Sequence, residues 1–196
     1  MQIENAADIV GPMFGAVAKD SALALEQLHL RKDAAILDVG TGKGQFAIYL
    51  ASQGFHVLTG EPDTDVSRYA RQGWAQKAEK MGVLDRISFQ PFEASELPFA
   101  LDMFDAVFFF GVLHHIDESV RQTVFREALR VAKQNGAVVF FEPRQQTLEK
   151  IWADDPNHPV AAIPSNYAAG QKLHEQRIEG SMMDIFIYRN SHQRNA

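Results

Sequence analysis

Apolar residues in this chain come in short blocks, separated by glycine, proline and polar turns. Residues 35–39, 56–59, 87–90, 104–110 and 137–141 are compact, largely apolar segments. Segments of this length bounded by turn residues predict strands, and the block 104–110, apolar at nearly every position, predicts a central strand buried on both faces. Helical spacing fills the intervals. Phe46, Ile48, Tyr49 and Leu50 predict a short helix closed by Gly54. A polar helix is predicted over roughly 65–81, with Tyr69, Ala70, Trp74 and Ala78 inward and Gly82 at its end. Another, capped by Asp117 or Ser119, is predicted to run to Lys133 on Val120, Val124, Phe125, Leu129 and Val131, before Asn135-Gly136 turns the chain. Residues 1–33 also read as helical, broken at Gly11-Pro12, with Phe14, Val17, Ser21, Leu25 and Leu28 close to one face. Residues 145–151 begin a further helix, and 154–166 are proline-rich and polar, hence loop. Residues 183–188 alternate as a strand, and 172–178 can pair with them across Glu179-Gly180-Ser181.

Five strand signals with four crossover helices predict βαβ units, and so a parallel sheet with right-handed crossovers. The stretch Ile36 to Gln45 sits at the centre of that order. Its apolar run breaks into glycines at 40, 42 and 44, giving Asp-x-Gly-x-Gly-x-Gly with Asp38 in front. Glycine is required where the backbone takes φ > 0 or meets a ligand closely, and the N-terminus of the next helix offers free N–H groups. The spacing departs from the dinucleotide pattern Gly-x-Gly-x-x-Gly: the third glycine comes one residue early and Gln45 stands in its place. The next strand ends at Gly60-Glu61-Pro62-Asp63. A βαβ unit puts Glu61 beside the glycine turn, at the edge where open α/β sheets bind ligands. A carboxylate there can accept two hydrogen bonds from a ribose diol. Asp63 is the fallback for that role, and helix N-capping is the plainer reading of Asp63 and Asp65.

These motifs resemble those of the class I S-adenosylmethionine (SAM)-dependent methyltransferases, over about residues 15–144. Glu93-Ala94-Ser95-Glu96-Leu97-Pro98-Phe99 resembles the family segment Asp-Ala-Glu-x-Leu-Pro-Phe, with Glu93 at the position of the adenine-binding acid, Ala94 supplying a backbone N–H, and Phe92 in place of a glycine. Val112-Leu113-His114-His115-Ile116 resembles the small-molecule branch that includes the ubiquinone and menaquinone methyltransferases. The resemblance implies a single α/β domain with a Rossmann-like, seven-stranded, mostly parallel sheet and helices on both faces. Residues 1–33 would form a helical cap, 34–144 the cofactor-binding core, and 145–196 a loop and a closing antiparallel strand pair. It implies SAM as cofactor, S-adenosylhomocysteine as product, and Asp38, Gly40, Thr41, Gly42, Gly44, Glu61, Pro62, Glu93, Ala94, Phe110 and Gly111 as the cofactor-binding residues. The N-terminal helix reads first as packed on the sheet; the resemblance implies that it could also partly cover cofactor and acceptor, with Met13 and Phe14 the residues to test. His114, then His115, is the candidate general base at the end of the fourth strand, the alternative being that they pack or start a helix.

Composition narrows the partners. A net charge of −6 without blocks of like charge gives no electrostatic footprint for nucleic acid. The Asn/Asp-Pro-Pro-Tyr/Phe motif of the base amino-methyltransferases is missing after the fourth strand. Absence of cysteine removes thiolate nucleophiles and Cys-ligated zinc, and adjacent histidines are expected to diverge, so no metal site is expected. No apolar run reaches the length of a membrane span and no secretory signal is visible, which reads as cytoplasmic. The expected function is methyl transfer from SAM to a small-molecule acceptor. Alternatives are a nicotinamide-dependent oxidoreductase, or a SAM-binding partner or regulatory protein without activity.

Overall fold

The structure, a computed structural model, describes residues 3–70 and 73–191. Its strands are β1 (Ile36–Val39), β2 (Val57–Gly60), β3 (Ile87–Phe89), β4 (Phe104–Phe110), β5 (Ala132–Pro143), β6 (Leu173–Glu179) and β7 (Met183–Asn190). They form one seven-stranded sheet in the order β3-β2-β1-β4-β5-β7-β6. The first five are parallel, and β7 runs antiparallel to both β5 and β6. This is the mostly parallel sheet expected, closed by the antiparallel pair.

Side-chain alternation builds a core on each face. Ile36, Val57, Ala106, Phe108, Val139 and Phe141 join the apolar residues of α1 (Ile3–Val10), α2 (Phe14–Leu28), α3 (Gln45–Ser52) and α4 (Trp74–Lys80). Leu37, Val39, Val107, Phe109, Val138 and Phe140 meet α5 (Glu118–Val131) and the segment around Phe92 and Leu97. Phenylalanine dominates both layers. Phe46 lies 5.1 Å from both Phe108 and Phe110, and Phe140 stacks on Phe109 at 4.6 Å. Each such ring contributes roughly 1.5–3 kcal/mol when fully buried.

Three expectations need correction. The helix expected over 65–81 exists only as α4, because Gly73 sits at φ +66°, a left-handed position that starts the helix at Trp74. Arg71 and Gln72 lie outside the described residues. Tyr69 and Ala70 precede the helix, and Asp65 caps nothing: its Oδ1 accepts the Ser67 N–H in a local turn. Second, α5 ends at Val131, with Asp117 as its cap, and Ala132 already belongs to β5. Asn135-Gly136 falls in a register shift between β4 and β5, not in a turn. A Cβ on Gly136 would lie 3.0 Å from the carbonyl oxygens of Phe104, Asp105 and Lys133, so a bulge passes where a side chain would be crowded. Third, no helix links β3 to β4. Residues 90–103 are instead clipped to α5, where Arg130 donates to the Leu97 and Phe99 carbonyls and Glu127 accepts the Leu97 N–H. The crossover helices between the five parallel strands are therefore α3, α4 and α5.

The N-terminal helices break at Gly11-Pro12 as expected. Phe14 is core, whereas Met13 is 47% exposed. Asp20 of α2 is fully buried and accepts from Ser181 N, Ser181 Oγ, Met182 N and Met183 N, tying this helix to the β6–β7 hairpin. A last helix, α6 (Gln145–Asp154), leads into an irregular segment that crosses the C-terminal ends of β4 and β5. No helix among the described residues is long and apolar enough to cross a membrane.

Candidate functional site

The glycine turn joins β1 to α3. Gly40, Gly42 and Gly44 all have positive φ, at +91°, +48° and +72°. A Cβ on Gly40 would overlap the Val112 side chain and one on Gly44 would overlap Trp74, so both positions need glycine for space as well as for conformation. Below the turn runs a buried polar chain. Asp38 Oδ2 accepts from Thr59 Oγ1 at 2.8 Å, and Thr59 Oγ1 lies 2.9 Å from Thr41 Oγ1. Asp38 thus braces the turn from beneath. Its other oxygen, Oδ1, is buried with no partner among the described residues. Burial pushes the Asp38 carboxyl up to about 7; the Thr59 hydrogen bond opposes this and the nearby Glu61 charge adds to it.

Glu61, 5% exposed, reaches from the end of β2 to the turn, where its Oε2 accepts the Gly42 N–H at 2.8 Å. Pro62 follows, half-buried, and Asp63 is exposed. The Phe92 N–H bonds the Glu61 carbonyl at 3.4 Å, so the 92–94 segment is stitched to the same strand end. Phe92 is buried against Gly60 and meets Phe99 edge to face, which gives the residue in the family's glycine position a packing role. Glu93 is exposed at the start of a tight turn, with Ala94 half-buried beside it. Phe110 stacks on Phe46, and Gly111 (φ +69°) donates to the Phe141 carbonyl at 2.9 Å.

Immediately beyond, residues Leu113–His115 form a single 3₁₀ turn. Instead of diverging, the His114 and His115 rings stand 4.3 Å apart. A third imidazole, His158, arrives from the segment after α6, at 5.2 Å from His114 and 4.8 Å from His115. His114 is 4% exposed; its Nδ1 lies 2.9 Å from Glu142 Oε2, which also accepts the Ala162 N–H. His158 Nδ1 lies 3.0 Å from the Tyr69 hydroxyl, which donates in turn to Asp155 Oδ2. The Tyr69 ring packs against His115 and His158, and its carbonyl faces Gly42. Burial, and then the neighbouring imidazoles, push the His115 pKa down; burial and His114 do the same to His158. His115 is exposed as a residue, so the burial that acts on it is the packing of its ring against Tyr69 and the other two imidazoles. The Tyr69 phenol is raised by burial and by Asp155, whose own carboxyl the phenol's hydrogen bond holds low.

The model of the family described as "Methyltransferase domain" matches residues 37–140, more than half of the chain and the whole of the turn, with Glu61, Glu93 and the His114–His115 pair. This chain belongs to the methyltransferase-domain family. Among similar proteins, the 27-O-demethylrifamycin SV methyltransferase of Amycolatopsis mediterranei (strain S699) is 34% identical over 109 residues, which is 56% of this chain and 38% of that protein. The demethylmenaquinone methyltransferase of Bacteroides fragilis is 29% identical over 153 residues, covering 72% of this chain and 60% of that one. The chain therefore spans less than two thirds of these relatives' length. The PH0226 protein of Pyrococcus horikoshii OT3 has the same fold, with a TM-score of 0.72 at 17% identity over 93% of this chain and 97% of that one. Geranyl diphosphate methyltransferase, solved in complex with SAM, aligns with a TM-score of 0.61 at 15% identity over 87% and 84%.

For a methyltransferase-domain protein the sequence reading missed Tyr69, Glu142, Asp155 and His158. Glu142 was visible only as the end of a strand. Tyr69 was visible only as an inward residue of the helix expected over 65–81, and Asp155 and His158 lie in 154–166, which read as loop. The structure brings together Asp38, Thr41, Gly42 and Glu61 as one unit and the histidines as another. Glu93 is exposed on its own turn, next to Phe92, whose N–H bonds the Glu61 carbonyl.

Proposed function

We propose that this chain binds SAM at the glycine turn and transfers its methyl group to a small-molecule acceptor. The observation that carries this is the Glu61 carboxylate held on the Gly42 N–H at 2.8 Å, within the matched methyltransferase region. The residues present fit the cofactor. Positive-φ glycines leave three positions of the turn without side chains, Glu61 stands at its rim for a ribose diol, and the unpartnered Asp38 Oδ1 offers a buried acceptor for a cationic group. Glu93 and Ala94 are the candidates for the adenine edge, with Pro62, Phe110 and Gly111 completing the wall. Bound here, SAM supplies a sulfonium methyl that passes to the acceptor's lone pair while the C–S electron pair stays on the departing S-adenosylhomocysteine.

The chain's contribution is placement, which in favourable cases lowers a barrier by about 7–11 kcal/mol. A hydroxyl acceptor must also lose its proton. His114, oriented by Glu142, is the first candidate to receive it, and His115 the second. Both curated relatives named above carry small-molecule substrates in their names, which favours a small acceptor here. Calorimetry with SAM, S-adenosylhomocysteine and NAD tests the cofactor, and release of S-adenosylhomocysteine with a panel of phenols, quinols and macrolide alcohols tests transfer. SAM binding without turnover on any acceptor would favour a regulatory SAM-binding role. NAD binding without SAM binding would overturn the reading.

A further inference from the structure

The proton positions in the imidazole cluster follow from its partners. Tyr69 has one hydroxyl proton and gives it to Asp155, which as a carboxylate only accepts. The phenol oxygen can then only accept from His158 Nδ1, so the neutral ring carries its proton on Nδ1 and a lone pair on Nε2. That Nε2 is buried and has no hydrogen-bond partner among the described residues. Glu142 Oε2 in the same way takes the Nδ1 proton of His114 and leaves the lone pair on its Nε2. Histidines whose Nδ1–H is fixed by a carboxylate, directly or through a hydroxyl, and whose Nε2 is bare are oriented as metal ligands are. A buried lone pair that meets no donor is unfavourable in the ion-free protein, and an ion would satisfy it.

We propose that His114, His115 and His158 form a site for a divalent transition-metal ion of the zinc type, with three imidazole ligands and an open position for the methyl acceptor. One ligand nitrogen from each ring lies within 4.8 Å of the other two. Tetrahedral zinc with bonds of about 2.0–2.1 Å holds its ligands about 3.3 Å apart. The rings therefore close by about 1.5 Å at most on binding. His115 is exposed and His158 stands on an irregular segment, so torsional adjustment suffices. An all-nitrogen set favours zinc, cobalt, nickel or copper over magnesium or calcium, which take oxygen. Three protein ligands with a vacant fourth position is the arrangement of catalytic rather than structural zinc. The vacant position suits an oxygen or sulfur of the acceptor, whose proton affinity the ion's charge would lower. In that state the imidazoles are ligands, and the ion replaces His114 as the means of deprotonating the acceptor. This role rests on the methyl-transfer reading; binding of the ion does not.

The test uses tag-free protein stripped with a chelator and titrated with Co²⁺. The expected result is one equivalent per chain, with the intense visible d–d bands of a low-coordinate ion, displaced by Zn²⁺. His115→Ala removes an exposed ligand that the core does not need, and should weaken Zn²⁺ binding at least about tenfold and change the cobalt spectrum. Glu142→Gln should weaken Zn²⁺ binding by about 10–100-fold, the usual cost of losing a carboxylate behind a histidine ligand. His56→Ala and His174→Ala, outside the cluster, should change neither. No stoichiometric binding, or an unchanged spectrum and affinity in both His115→Ala and Glu142→Gln, would overturn the site. Calorimetry with SAM on the same preparation separates the two readings. A cobalt site without a SAM response sinks methyl transfer and leaves the metal site; a SAM response without a cobalt site does the reverse.

Discussion

The glycine turn and the histidine cluster occupy the same edge of the sheet, at the ends of the neighbouring strands β1 and β4, yet the chain builds them by opposite means. The turn is local. Asp38 to Gly44 and the acid at Glu61 belong to a single βαβ unit, and their geometry is set by backbone conformation and two short hydrogen-bonded contacts. The cluster is assembled from four separate segments: Tyr69 before α4, His114 and His115 after β4, Glu142 at the end of β5, and Asp155 and His158 after α6. Val112 packing on Gly40 and the Tyr69 carbonyl facing Gly42 join the two regions. The difference teaches that a ligand contact made through backbone is encoded as spacing, whereas one made through converging side chains is encoded nowhere in particular.

If the regions divide their work in this way, damage to the turn should abolish cofactor binding and leave the imidazoles in place. Gly42→Val is the largest expected effect. Its φ of +48° is left-handed backbone, and a branched side chain there would press on the Tyr69 carbonyl, 3.3 Å from the new Cβ. SAM affinity by calorimetry should fall below detection while circular dichroism keeps the native signature. Near-normal affinity would mean that the turn does not hold the cofactor.

Glu61→Gln is gentler, since it keeps the shape and an oxygen for the Gly42 N–H but removes the charge. Hydrogen bonds to charged groups contribute about 1.5–3 kcal/mol, and about 1.4 kcal/mol is tenfold in affinity. SAM should therefore bind roughly 10–100-fold more weakly. Asp63→Asn, at an exposed residue, should change affinity less than about twofold, within the scatter of ordinary surface substitutions. His115→Ala should also leave SAM affinity near wild type, because the ring touches the cluster and not the turn. A large loss of SAM binding in His115→Ala would dissolve the division between the regions.

The same contrast explains what could be read from the sequence. Five parallel strands and the closing hairpin were legible, because burial on both faces of β1, β2, β4 and β5 leaves largely apolar runs, β3 is a short segment between turn residues, and β7 alternates in sequence. The expected helix over 65–81 failed because Ala70, Trp74 and Ala78 are buried or partly buried at i, i+4 spacing, while the left-handed Gly73 starts the helix only at Trp74. Asn135-Gly136 looked like a turn because its composition is that of a turn; the register shift that uses it depends on Phe104 and Asp105, some thirty residues earlier. Asp20 gave no signal at all. Between Lys19 and Ser21 it resembles any solvated helix acid, and only the arrival of Ser181 to Met183 makes it a buried anchor. His158 and Asp155 were invisible for the same reason.

Asp38→Asn gives an effect that depends on pH and probes how the turn is braced. With its carboxyl pushed up to about 7, Asp38 is protonated in the folded protein at pH values where the unfolded chain, with an ordinary carboxyl near about 3.9, has already lost the proton. Between about pH 4 and pH 7 the folded state therefore binds more protons than the unfolded one, and stability from this group falls as pH rises through that window. Above it the ionised, buried carboxylate is a standing cost. Each tenfold difference in proton affinity between the folded and unfolded chain is worth about 1.4 kcal/mol, so the cost at pH 8 is on the order of a few kcal/mol. Asp38→Asn removes the charge and keeps an oxygen for Thr59. Its melting temperature should approach the wild type's only toward about pH 4, and its margin over the wild type should widen from pH 5 to pH 8, at about 2–4 °C per kcal/mol for a domain of this size. Cofactor binding should show the opposite preference. A cation placed near Asp38 Oδ1 favours the ionised form, so wild-type SAM affinity should rise with pH through about 7, and the affinity of Asp38→Asn should be weaker and flat. Thermal melts at pH 5 and 8 check the first half and calorimetry at the same two pH values the second. A wild-type affinity independent of pH, together with undiminished binding in Asp38→Asn, would show that the oxygen faces no part of the ligand and that Asp38 serves the turn alone.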